Sequence, residues 1–231
     1  MILNKNPELV IFDLDNTLYE YKPCHVLGLK AVCEYIEQMF GISQKTALEK
    51  FEVARMRVKS RLSGASARDR ILYFSEFLYE LNLRHDTKFL IEVYQRYWTA
   101  YFIRMRLAPG VHVLSQRLRQ LNVKSVLVTD LMSEIQYRKL ITLEVEDFFD
   151  VVVTSQETQL EKASNQPFEL LAKRLRREEW QYVWFIGDSK QDFPNGFPTI
   201  KRENFLSPFA EKKVVNTKRI FNYEELVKKL Y

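Results

Sequence analysis

Four short apolar runs, each ending in side chains that carry oxygen, constrain this chain more than any other feature. They are VIFD ending at Asp13, VLVTD ending at Thr129 and Asp130, VVVTS ending at Thr154 and Ser155, and WFIGDS ending at Asp188 and Ser189. Apolar runs this short read as strands buried on both faces. Stretches of helical period at about 111–121, 133–143 and 167–177 precede the last three runs. Strands and helices in alternation build a parallel sheet covered on both sides, so the expected fold class is α/β, with a Rossmann-like three-layer α/β/α core. Between the first run and the second the pattern differs. From about 23 to 105 there is no convincing strand, only amphipathic stretches at 24–40, 44–62 behind a Ser43 cap, 66–83 and 87–105, ended by the Pro and Gly of 107–110. The expected organisation is a core of 1–19 and 107–231 with an all-helical cap domain, 20–106, inserted after the first strand. Short strands at 198–202 and 212–216 and a helix at about 222–230 complete the expected core.

Composition removes several chemistries. The six glycines are not spaced as a Walker loop or a dinucleotide fingerprint requires. His25, His85 and His112 are far apart and match no zinc pattern, Cys24 and Cys33 form no C-x-x-C pair, and no serine sits in a G-x-S-x-G elbow. A net charge of +5, from 35 basic and 30 acidic residues, suits a small anionic substrate but is too dispersed to argue for nucleic acid. The opening segment lacks the apolar stretch and cleavage site of a secretory signal, and no apolar run approaches the ~20 residues of a membrane span. The expectation is a cytoplasmic protein with reduced thiols and no membrane partner.

Carboxylates are left to do chemistry. Ligands of open parallel sheets bind beyond the carboxyl ends of the strands, which here collect Asp13 and Asp15, Thr129 and Asp130, Thr154 and Ser155, and Asp188, Ser189 and Asp192, with Lys162 at loop distance. Carboxylates crowded at one edge resist ionisation unless a cation neutralises them. A hard divalent ion such as Mg2+ held by Asp13 and Asp188, with waters and a substrate phosphate, meets that need, and Lys162 offers a second positive charge.

These residues resemble the haloacid dehalogenase superfamily of phosphohydrolases. VIFDLDNTLY at 10–19 is similar to its first motif, VLVTD at 126–130 to its second, EKASNQPFELLAKRL at 161–175 to its third and FIGDSKQD at 185–192 to its fourth. The resemblance spans roughly 8–200, and the helical insertion falls where that family carries an α-helical cap. It implies that Asp13 attacks phosphorus to form an aspartyl-phosphate. Asp15 would protonate the leaving alcohol, then deprotonate water, with its backbone carbonyl also on the metal. Thr129 and Lys162 would hold the phosphoryl oxygens, Asp188 would bind Mg2+, and Asp192 would ligate or orient a metal-bound water. An acid two residues beyond the nucleophile separates phosphatases and mutases from the dehalogenase and ion-pump branches. The reading is a Mg2+-dependent phosphomonoesterase for a small phosphorylated metabolite, a sugar phosphate first, in a monomer or homodimer. A phosphomutase, a phosphotransferase or a non-catalytic binding protein of the same fold are the alternatives.

Two departures from the family pattern stand out. Ala163, not proline, follows Lys162, and after Asp192 the segment FPNGFPTI replaces a helix and is expected to form a loop. Other features have plain readings: Asp130 as structural or rim, the basic run of Arg55, Arg57, Lys59, Arg61, Arg68 and Arg70 as a solvated helix face, and the aromatic series from Tyr73 to Phe102 as helical core. Tyr19, Tyr21 and His25 flank the passage from core to cap, as hinge packing or as contacts to a leaving group.

Overall fold

A computed structural model of the chain describes residues 6–84, 86–177 and 179–231, so the first five residues, His85 and Glu178 lie outside the described residues. The chain divides into two compact units, Met1–Glu20 with Arg106–Tyr231, and Tyr21–Met105. The first unit holds a six-stranded sheet in the order β3-β2-β1-β4-β5-β6, every neighbouring pair parallel. Its strands are β1 (Leu9–Phe12), β2 (Lys124–Thr129), β3 (Val151–Thr154), β4 (Trp180–Gly187), β5 (Thr199–Leu206) and β6 (Lys218–Arg219).

Chain order runs outward from β1 to β2 and β3, then returns to the other side of β1 for β4, β5 and β6. The reversal leaves a crevice at the carboxyl ends of β1 and β4, where ligands of such sheets bind. β1 is buried throughout. Leu9, Ile11, Val126, Val128, Val183 and Phe185 contribute to one continuous core beneath that crevice. Burying each such side chain contributes roughly 1.5–3 kcal/mol, so the strand ends rest on a rigid floor.

The second unit is helical among its described residues: α1 (Tyr21–Phe40), α2 (Gln44–Arg61), α3 (Arg70–Glu80) and α4 (Thr87–Arg104). The Ser43 hydroxyl caps α2 by accepting from Thr46 N–H at 3.2 Å. Tyr73, Phe74, Phe77, Tyr97, Trp98 and Tyr101 are buried, as helical spacing predicts for a core. Gly28 lets α1 pass against α4, since a Cβ there would lie 2.7 Å from the Tyr97 ring. Cys24 and Cys33 are free and buried.

The sheet unit continues with α5 (Val111–Gln120), α6 (Ser133–Thr142), a single-turn α7 (Ser155–Thr158), α8 (Gln166–Leu175) and a single-turn α9 (Glu224–Val227). Three details correct the sequence reading. The segment 212–216 is no strand; the chain pairs at Lys218–Arg219 instead, as a two-residue edge strand beside Phe205 and Leu206. The strand expected at 198–202 extends to Leu206, because β4 offers it a register from Trp180 to Gly187. The C-terminal helix is one turn long, anchored where the Tyr223 hydroxyl donates to the Thr17 carbonyl at 2.7 Å.

Candidate active site

Asp13 leaves the end of β1 with its N–H on the Ile186 carbonyl, 2.9 Å, so β4 fixes its backbone. Its carboxylate is buried: Oδ2 accepts from the Thr17 hydroxyl at 2.8 Å and Oδ1 from Lys162 Nζ at 2.5 Å. Asn16 makes the intervening turn at φ 57°, a conformation asparagine tolerates better than most side chains. Lys162 opens a 3-10 turn (Lys162–Ser164), and Pro167 stands in the first turn of α8. The chain has moved its proline out of the position after the lysine without losing the helix start. Asp130 holds that turn in place, Oδ1 accepting from the Lys162 N–H at 3.0 Å, which is a structural task.

Asp192 lies in the 3-10 turn Lys190–Asp192, and Phe193 to Pro198 carry no helix, in keeping with the expected loop. Its Oδ1 is also on Lys162 Nζ. Its Oδ2 accepts from Asp188 N–H at 3.0 Å, Ser189 N–H at 2.8 Å and the Ser189 hydroxyl at 2.9 Å. This oxygen therefore ties the whole turn after β4. Gly187 makes that closeness possible, because a Cβ there would collide with the Asp192 side chain.

Asp13, Asp188 and Asp192 each bring a carboxylate oxygen within 4.8 Å of the others. Burial, followed by repulsion from its neighbours, pushes the Asp13 carboxyl well above the usual range despite Lys162. Burial and Asp192 push Asp188 up to about 6. Burial works against charge on Lys162, but Asp13, Asp192 and Asp130 outweigh it and hold the ammonium protonated. Three carboxylates against one ammonium leave two negative charges in excess, the charge that one divalent cation cancels. The donors are hard oxygens, so Mg2+ fits them and a soft metal does not. Asp192 is the member already saturated by hydrogen bonds.

Asp15 sits apart from this cluster. Its Oδ1 pairs with Lys139 Nζ at 2.6 Å and accepts from the Tyr19 hydroxyl; its Oδ2 accepts from Gln136 Nε2 at 3.2 Å. Burial would raise its carboxyl, but Lys139, Tyr19 and Gln136 outweigh it and hold it below the usual range. Thr129 is fully buried at the end of β2, its hydroxyl accepting from the same Gln136 amide. The loop beyond it passes through Leu131 at φ 110°, a strained conformation held by a 3.0 Å bond from its N–H to Ser155 Oγ. Thr154 and Ser155, at the end of β3, serve such loop contacts.

Gln136, Lys139 and Thr17 are the residues that sequence reasoning left out of the site, while Tyr19, read there as hinge packing or a leaving-group contact, donates its hydroxyl to Asp15. A signal existed for the first two: they stand three apart on α6, on the face that also carries Ile135 and Leu140.

The haloacid dehalogenase-like hydrolase profile matches residues 7–195. Ribulose-1,5-bisphosphate 5-phosphatase of Halopiger xanaduensis is 33% identical over 206 residues, 88% of this chain and 85% of that protein. Glyceraldehyde 3-phosphate phosphatase of Methanopyrus kandleri is 29% identical over 176 residues, 75% and 73% respectively. Among solved structures, the magnesium-bound HAD-hydrolase YfnB of Bacillus subtilis superposes with a TM-score of 0.67 at 20% identity, over 98% of this chain and 99% of that one, a likeness of fold. Among the described residues no helix is long and apolar enough to cross a membrane. The chain belongs to the haloacid dehalogenase-like hydrolase family, as an enzyme of its phosphatase branch.

Proposed function

We propose that this chain is a Mg2+-dependent phosphomonoesterase for a small sugar phosphate, working through an aspartyl-phosphate on Asp13. The observation that carries the reading is the Asp13 carboxylate, fixed between Thr17 and Lys162 beside Asp188 and Asp192. The named activities of the relatives, on ribulose bisphosphate and glyceraldehyde phosphate, support the sugar-phosphate class.

Asp13, Asp188 and the backbone carbonyl of Asp15 would hold the cation, with Asp192 ordering the turn that presents Asp188. When bound, Mg2+ offsets the charge that accumulates between the nucleophile and the phosphate. Lys162 and the Thr129 hydroxyl take the phosphoryl oxygens, in an interior where such contacts count for more than in water. Gln136 donates to the Thr129 oxygen, and the hydroxyl proton, which here reaches the Asp130 carbonyl only at 3.4 Å, would turn to a phosphoryl oxygen. The ionised Asp15 is matched to the second half-reaction, in which a base must take a proton from water. The first half-reaction takes a proton from the same carboxyl group, and the donors around Asp15 set how readily that form is reached. The helical unit, as the cap, would select among substrates.

Phosphate release from a panel of sugar phosphates, nucleotides and an aryl phosphate, with and without Mg2+, tests this. Asp13→Asn is expected to lower turnover at least about 1,000-fold in a folded protein, as removal of a nucleophile does. Undiminished release from that variant, or equal release after chelation, would overturn the reading.

A further inference from the structure

Helix α6 directs two polar side chains at the strand ends, and no motif of the sequence accounts for them. Gln136 and Lys139 lie on one face and are fully buried. Lys139 Nζ meets Asp15 Oδ1 at 2.6 Å, while Gln136 Nε2 meets Asp15 Oδ2 at 3.2 Å and the Asp130 carbonyl at 2.8 Å. The same amide nitrogen donates to the Thr129 hydroxyl. Two groups that can only accept, the Asp15 carboxylate and the Asp130 carbonyl, identify that end of the amide as the NH2 group. Each oxygen of Asp15 is thus held by a donor from a single helix, and Tyr19 adds a third donor from the other side. A short carboxylate side chain gripped at both oxygens loses the torsional freedom it has in solution. Desolvating a lysine entirely is costly, and an apolar side chain of similar volume serves packing as well or better. A purely structural need therefore does not explain a lysine at this position.

We propose that Lys139 and Gln136 are positioning residues that fix the Asp15 carboxylate for proton transfer from the hydrolytic water, with Gln136 coupling that carboxylate to the phosphate-binding Thr129. The inference rests on the phosphatase mechanism proposed above. In the step concerned, a water oxygen bonds to phosphorus while the bond from phosphorus to the Asp13 carboxylate oxygen breaks. The water proton passes to Asp15, and inorganic phosphate leaves. Misplacing a reacting group by about 1 Å costs on the order of 100-fold, so release of the Asp15 grip falls mainly on this step.

Single-turnover kinetics on the Mg2+-loaded full chain separates the half-reactions. Acid quenching follows formation and decay of the phosphoenzyme from an aryl phosphate, whose good leaving group needs little help from an acid. For Lys139→Met, decay is expected to slow roughly 10- to 100-fold with formation changed less than about 3-fold, giving a burst of phenolate and accumulated phosphoenzyme. Asp15→Asn should show the same pattern more strongly, and the double variant should be no slower than Asp15→Asn alone. Gln136→Met, which removes no charge, repeats the test with a smaller effect should Lys139→Met fail to fold. A folded Lys139→Met or Gln136→Met whose decay matches wild type, or which slows formation and decay alike, overturns the inference if Asp15→Asn is impaired. If Asp15→Asn itself is unimpaired, the underlying mechanism falls as well.

Discussion

Lys162, one of the buried cations of the sheet unit, and Arg70, buried in the helical unit, are neutralised in different ways. In the sheet unit, Lys162 lies between the carboxylates of Asp13 and Asp192, within reach of Asp188. In the helical unit, Arg70 is buried among phenols: Nη2 donates to Tyr21 at 2.7 Å, Nε to Tyr97 at 3.4 Å and Nη1 to the Arg68 carbonyl at 2.8 Å. Its guanidinium also lies 5.1 Å from the Tyr73 ring centroid. Neutral oxygens and ring faces solvate a charge without storing any of the opposite sign. The Lys162 cluster is a charge imbalance waiting on a cation and an anion, while the Arg70 cluster is complete in itself. The neighbouring basic residues support that reading of the helical unit: the exposed Arg57 of α2 pairs with Glu80 of α3, and the exposed Arg61 with Glu76 at 2.7 Å, so each of these charges has a carboxylate of its own.

The largest effect that tests this contrast is at Lys162. Lys162→Met removes the one ammonium among three carboxylates, and breaking a buried pair from one side costs about 3–5 kcal/mol. Thermal melts at neutral pH without divalent ions should show that loss, and Mg2+ should restore more stability to the variant than it adds to wild type. Turnover should fall at least about 100-fold, as for loss of one donor to a developing oxyanion. A variant whose melt ignores Mg2+ would show that the carboxylates are not the source of the imbalance. Arg70→Met should act more gently. It strands the phenol oxygens and one carbonyl, at about 1–3 kcal/mol, with turnover within about 3-fold of wild type. A loss of turnover far beyond the loss of folded protein would break the contrast, since it would mean the guanidinium serves an anion.

The contrast was only half visible in the sequence. Asp13, Thr129, Lys162 and Asp188 could be read because each follows an apolar run or a loop at motif spacing, and a strand end dictates where its next side chain goes. Lys139 could not be read in that way. It lies in SEIQYRKLIT, where charged residues occur on every side and a lysine costs nothing to place in solvent. Its place on the face of Ile135 and Leu140 is a weak pointer inward, and the packing of α6 is what buries it. Arg70 belonged to a run of basic residues that pattern alone treats as one surface, although its neighbours at 57 and 61 are exposed and it is not. The misread strand at 212–216 has a related cause. Val215 is 85% exposed, and an edge strand takes its register from free backbone groups on β5, not from apolar side chains. Tyr223, which anchors the loop after β1, gives no local signal at all, because its partner is 206 residues away.

The smallest expected effect lies at His25, whose ring stacks on Tyr21 with centroids 5.2 Å apart and whose Nδ1 lies 2.7 Å from the Tyr97 hydroxyl. Burial, with Arg70 and Arg55 nearby, lowers it to about 3, so the folded helical unit keeps this imidazole neutral. In the unfolded chain the same ring titrates near 6.5. Above that pH neither state binds the proton and the histidine adds no pH dependence. Below it the unfolded chain takes up a proton that the folded unit refuses, so stability present at neutral pH is lost as the pH falls toward about 3. The slope approaches about 1.4 kcal/mol per pH unit at most, and below about 3 both states are protonated and the loss levels off. Hydrogen exchange at α1 and α4 across this range should show the decline, and His25→Gln should flatten it. An NMR titration placing the ring above about 5 would contradict the account directly. It would mean that a second positive charge is tolerated beside Arg70, which a cluster completed by neutral phenols has no means to accommodate.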